Sequence, residues 1–81
     1  MALPPRALSV GSGGSSLGNN LRALRELRGG MTQQALADAV GVSRQTIVAI
    51  ERNKYPPSLE VAFRIAETLE TPLTEAFWLE R

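Results

Sequence analysis

At 81 residues, 43% hydrophobic and 21% charged, the chain has room for one small packed domain. It contains no cysteine and no histidine, which excludes disulfides, thiolate nucleophiles and imidazole bases or metal ligands. Its net charge of +1 conceals a split: residues 20–55 hold six basic and three acidic side chains, residues 58–81 two basic and five acidic, a polarity suited to a protein with one face toward an anion.

Residues 1–18 are rich in Pro, Gly and Ser and include the run Gly11-Ser-Gly-Gly-Ser-Ser16. Such a composition buries too little apolar surface to offset chain entropy, so a flexible N-terminal arm is expected. A short strand at residues 8–10 or 16–17 is the regular structure it would carry. The first ten residues lack the apolar stretch of a signal peptide. No later run approaches the roughly 18 apolar residues of a membrane span. A soluble, intracellular protein is expected.

Five short helical segments follow, all within one domain over residues 19–81. Asn19 and Asn20 offer an N-cap for a helix over residues 21–28, with Leu21, Leu24 and Leu27 as its apolar residues and Gly29-Gly30 as its stop. Thr32 caps the next, over 33–40, whose inner face is Leu36, Ala37 and Val40, and Gly41 ends it. Ser43 caps a third, over 44–52, with Ile47 and Ile50 turned inward. Asn53 tolerates the left-handed conformation with which helices often end.

Tyr55-Pro56-Pro57 reads as an extended connection, and Ser58 caps a fourth helix over 59–69. The apolar set assigned to that helix is Leu59, Ala62, Phe63, Ala66 and Leu69. Pro72 opens a last short helix, at a position where its missing N–H costs nothing. Short loops between short helices predict a compact all-α fold. Strand-like pairing of residues 76–81 with the N-terminal region is compatible with it.

Residues 33–52 carry the most specific pattern. Two helices that cross steeply over a tight turn need a small residue at the crossing, a residue tolerant of positive φ in the turn, and an apolar plug after it. Ala37, Gly41 and Val42 stand at those places, and Ile47 and Ile50 pin the second helix to the first. With the isoleucines inward, Gln45, Ala49 and Arg52 form the outward stripe, flanked by Arg44, Val48, Thr46 and Asn53. Its centre holds no carboxylate, and Glu51 falls nearer the packed side. A helical hairpin without a DNA role would share the packing residues; the outward chemistry favours a helix-turn-helix that reads DNA.

The runs Leu21-Arg-Ala-Leu-Arg-Glu-Leu-Arg28, Met31-Thr-Gln-Gln-Ala-Leu-Ala37, Gly41-Val-Ser-Arg-Gln-Thr-Ile47 and Ile50-Glu-Arg-Asn-Lys-Tyr55 closely resemble the XRE family of phage-repressor-like regulators. Pro57-Ser-Leu-Glu60 and Thr71-Pro-Leu-Thr-Glu-Ala-Phe77 resemble its short single-domain type, similar to the cytolysin repressor. The resemblance spans about residues 20–79. It implies a five-helix fold, bacterial or phage transcriptional control, and homodimers on palindromic operators. It also implies a small β-element at the chain ends and a dimer contact at Phe77, Trp78 and Leu79. Arg52-Asn-Lys54 departs from a common Asn-Gly-Lys, and Ala49 replaces a longer polar residue found in several relatives.

The expected mechanism places the first turn of the third helix against base edges in the major groove. Arg44 pairs with guanine or with a phosphate, and Gln45 with adenine. Thr46 meets a base or a phosphate, and Ala49 a thymine methyl. Thr32, Gln33 and Ser43, at helix N-termini, and Arg52, Lys54 and Tyr55, beyond the far end, are the expected phosphate contacts. Arg22, Arg25 and Arg28 are weaker candidates, a solvated helix face being the favoured reading for at least two of them. Phe77 reads as core, and Trp78 equally as edge of core or dimer anchor. No nucleophile–base pair, metal cluster or phosphate-binding glycine loop is present, so neither catalysis nor a cofactor is expected. The alternative function is an antitoxin or protein-interaction module on the same fold, with residues 1–18 as the partner-binding arm.

Overall fold

The computed structural model describes residues 16–80. Five helices run in chain order between two short strands: β1 Leu17–Asn19, α1 Leu21–Leu27, α2 Gln33–Val40, α3 Arg44–Glu51, α4 Leu59–Thr68, α5 Leu73–Ala76 and β2 Phe77–Leu79. Most of the expected arm, the strand foreseen at residues 8–10 and the terminal Arg81 lie outside the described residues. β1 occupies the end of the stretch assigned to the arm.

Local chemistry sets the helix boundaries. The Thr32 side chain accepts the Ala35 N–H, Ser43 that of Thr46 and Ser58 that of Val61, so the three expected serine and threonine caps are made. Asn20 makes no side-chain cap. The Asn19 carboxamide oxygen takes the Leu21 N–H instead, at 3.1 Å. Gly41 ends α2 at φ 90°, and its N–H and that of Val42 both donate to the Ala37 carbonyl, at 2.8 and 3.0 Å. These two hydrogen bonds to one carbonyl close the turn between α2 and α3. Asn53 stands at φ 58°, the left-handed conformation expected of it.

The strands pair antiparallel, with Leu17 opposite Leu79, Gly18 opposite Trp78 and Asn19 opposite Phe77. The Glu80 N–H donates to the Ser16 carbonyl and the Asn20 N–H to that of Ala76, so the two ends of the domain are stitched together. Gly18 is needed for space rather than for backbone freedom. A Cβ there would run into the Trp78 indole and the Glu80 carboxylate, which are joined by a 2.8 Å hydrogen bond.

Leu21, Leu36, Ile47, Ile50 and Ile65 are the largest fully buried side chains, joined by Ala37, Val40, Ala62, Ala66, Leu69, Ala76 and Phe77. Two expected faces need correction. On α4, Ile65 is fully buried, whereas Leu59 and Phe63 are 68% and 54% exposed. The buried arc is Ala62, Ile65, Ala66 and Leu69, and at about 100° per residue Phe63 lies roughly 110° from its centre. On α1, Leu27 is 74% exposed. The position one turn beyond Leu21 on the inner face belongs to Arg25, whose guanidinium is held by Glu51.

Candidate nucleic-acid interface

α3 lies with Ile47 and Ile50 in the core and presents the opposite side to solvent. Arg44 and Gln45 are exposed in its first turn, and Thr46, Val48 and Ala49 are half-buried. The Thr46 hydroxyl shares a 3.0 Å hydrogen bond with that of Ser43, so both are committed to the start of the helix. Arg52, Lys54 and Tyr55 are exposed just past its end. Thr32 is exposed and Gln33 half-buried at the N-terminus of α2. The start of α2 meets the last turn of α3, where Gln33 is hydrogen-bonded to Glu51.

Ion pairing sorts the cations. Arg22 pairs with Glu26, Arg25 with Glu51, Arg28 with Glu70 and Arg64 with Glu60. Among the described residues, Arg44, Arg52 and Lys54 are the basic side chains without a carboxylate partner, and all three lie on or beside α3. Arg25 departs from the solvated face of α1, on which Arg22 and Arg28 are exposed. Its side chain is 12% exposed, and it binds Glu51 through both Nε and Nη2, at 2.7 and 3.0 Å, and the Met31 carbonyl through Nη1.

Glu51 is the hub of that cluster. It also accepts a 3.1 Å hydrogen bond from Gln33 Nε2, so the last turn of α3 is tied at once to α1 and to the start of α2. One side-chain donor of Gln33 is thereby engaged. A second tie comes from Asn19, whose carboxamide donates to the Ile50 and Glu51 carbonyls and to Asn53 Oδ1. Sequence reasoning assigned no such role to Asn19, Arg25 or Glu51. For Arg25 a signal existed: it stands four residues after Leu21, on the stripe that a short helix turns to its core.

An apolar groove of about 340 Å³ opens elsewhere on the molecule, lined by residues that include Leu17, Leu59, Leu73, Trp78 and Leu79. Trp78 is 42% and Leu79 61% exposed, whereas Phe77 is 8% exposed and belongs to the core. The three residues expected at a dimer contact are therefore divided, with two outward and one inward. No helix among the described residues is long and apolar enough to cross a membrane.

Comparison with known proteins agrees with this geometry. The helix-turn-helix family model matches residues 21–75. An uncharacterised HTH-type transcriptional regulator of Methanocaldococcus jannaschii is 47% identical over 62 residues, covering 76% of this chain and 92% of the relative. One from Bacillus subtilis is 42% identical over the same length and coverage. One from Archaeoglobus fulgidus is 46% identical over 56 residues, covering 67% of this chain and 80% of its own. These relatives occur in archaea as well as in a bacterium, so the kinship does not confine the chain to bacteria and phages. With its tight α2–α3 turn, its solvent-facing α3 and a family match over most of its length, the chain belongs to the XRE-type helix-turn-helix family of DNA-binding transcriptional regulators.

Proposed function

We propose that the protein is a sequence-specific repressor that binds a pseudopalindromic operator as a homodimer in the cytoplasm and acts by occupying promoter DNA. The observation that carries this reading is the segregation of charge: the unpaired cations Arg44, Arg52 and Lys54 converge on α3, while the other described arginines are neutralised in ion pairs. A duplex supplies the missing anions.

In this reading Arg44 and Gln45 enter the major groove and pair with guanine and adenine, each good bidentate pair discriminating by about 1–3 kcal/mol. Thr46 and Ala49 complete the base-facing surface. Thr32, Gln33 and Ser43 present helix N-termini to phosphates, and Arg52, Lys54 and Tyr55 grip the backbone beyond α3. Trp78 and Leu79 form the dimer contact, with Phe77 supporting them from the core. The two recognition helices then lie about 34–36 Å apart, one turn of DNA.

The exposed apolar groove supports a second reading, a module that binds a protein partner. Selection from a random duplex pool at physiological salt separates the two. An enriched inverted repeat supports the dimeric repressor. Absence of any enriched duplex, with folded protein, favours the partner-binding module.

A further inference from the structure

Asn19 sits in β1, opposite Phe77, yet its side chain reaches out of the sheet to two helices. Its Oδ1 accepts the Leu21 N–H at 3.1 Å and so closes the start of α1. Its Nδ2 points to the far end of α3, donating to the Ile50 carbonyl at 3.1 Å, to the Glu51 carbonyl at 3.4 Å and to Asn53 Oδ1 at 2.9 Å. Helix C-termini leave carbonyls short of intrahelical partners, and here a residue more than thirty positions earlier reaches that of Glu51 and adds a second bond to that of Ile50, which also accepts the Asn53 N–H. The same contact holds Asn53, where the chain reverses in the left-handed conformation and the Asn53 and Lys54 N–H groups fold back onto Ile50 and Ala49.

The position of α3 follows from a few restraints. Ile47 and Ile50 fix its rotation about its own axis. The bonds at Ala37, Gly41 and Val42 fix its first end. At its last end, Glu51 ties it to α1 and α2, and Asn19 ties it to the terminal sheet. Each restraint bears on where Arg44 and Gln45 stand relative to Arg52 and Lys54. Base reading demands that both ends be held together, because phosphate contacts set the register in which base contacts are made.

We propose that Asn19 is a positioning residue for DNA reading: its side-chain amide sets the tilt of α3 against the terminal sheet. This inference rests on the DNA-reading function proposed above. It also makes the strand pair that carries Trp78 part of the frame that aims the recognition helix.

The test compares Asn19→Ser and Asn53→Gly with the parent protein. Serine retains a hydroxyl near the Leu21 N–H but is too short to reach α3. Glycine keeps the left-handed turn at position 53 and removes only the side-chain acceptor. Asn19→Ser is expected to fold and to lower the ratio of affinities for the selected and a scrambled duplex by about three- to tenfold, the worth of one or two hydrogen bonds. Asn53→Gly lowers it less, and adding it to Asn19→Ser costs nothing further.

An unchanged ratio in folded Asn19→Ser, or full additivity of the two changes, overturns the proposal. Should Asn19→Ser fail to fold, Asn53→Gly alone decides, through a lowered or an unchanged ratio. Amide exchange at Asn53 and Lys54 gives a readout without DNA and is expected to accelerate about tenfold while Val42 is unaffected. Unchanged exchange there shows that the tie does not hold the end of α3 and overturns the proposal as well. A parent protein that selects no duplex removes the function reading and the positioning role with it, and faster exchange then still identifies the tie.

Discussion

On the proposed function, individual side chains on and around α3 divide the work of reading and gripping. Gln45 is exposed in the first turn, and Lys54 is an unpaired cation past the last. Gln45→Ala is expected to relax preference at one base pair per half-site by about 1–3 kcal/mol, measured by competition with single-substituted duplexes. Lys54→Ala is expected instead to weaken every duplex alike and to reduce the salt slope of binding by about one, read from titrations at several salt concentrations. Equal, sequence-independent losses in both variants would contradict the division. Arg44 and Gln45 were legible in the sequence because the tight turn fixes which residues open the second helix. The pairing state of the arginines was not. Its spacing from Leu21 marks Arg25 as inward, but nothing local names its partner: Arg25 is sequestered by Glu51, far along the chain, whereas Arg22 lies in an exposed pair with Glu26.

At the scale of elements, the helix-turn-helix is braced more strongly than its apolar contacts alone suggest. Glu51 receives three side-chain hydrogen bonds from Arg25 and Gln33 in a setting where its side chain is 9% exposed. Glu51→Ala leaves the largely buried Arg25 guanidinium without its anion and is expected to destabilise the fold by about 3 kcal/mol, measured by urea denaturation. The α4 correction yields a sharper contrast. Ile65→Ala is expected to cost about 2–5 kcal/mol, whereas Phe63→Ala changes the monomer's stability little. Both residues are large and apolar, and both fit a loosely drawn helical stripe. The packing of α4 against α2 and α5 decides which arc of the helix turns inward.

At the scale of the whole fold, the described residues join their first and last strands in a sheet beside an exposed apolar surface. Trp78→Ala is expected to shift the protein toward monomer in sedimentation velocity while its helical circular dichroism persists, since the indole is 42% exposed. Gly18→Ala is expected to displace that indole from the strand backbone, seen as a change in tryptophan emission, because the added methyl occupies its place. The sequence by itself determined the five helices, the serine and threonine caps of three of them, the glycine turn and the face that α3 presents. Those features rest on side-chain chemistry within a few residues and on helical periodicity. Tertiary structure alone decided the Arg25–Glu51–Gln33 cluster, the reach of Asn19 to α3, the exposure of Phe63 and the pairing of Gly18 with Trp78. Each depends on groups brought together from distant parts of the chain, or on which arc a neighbouring helix covers, and local pattern does not encode either.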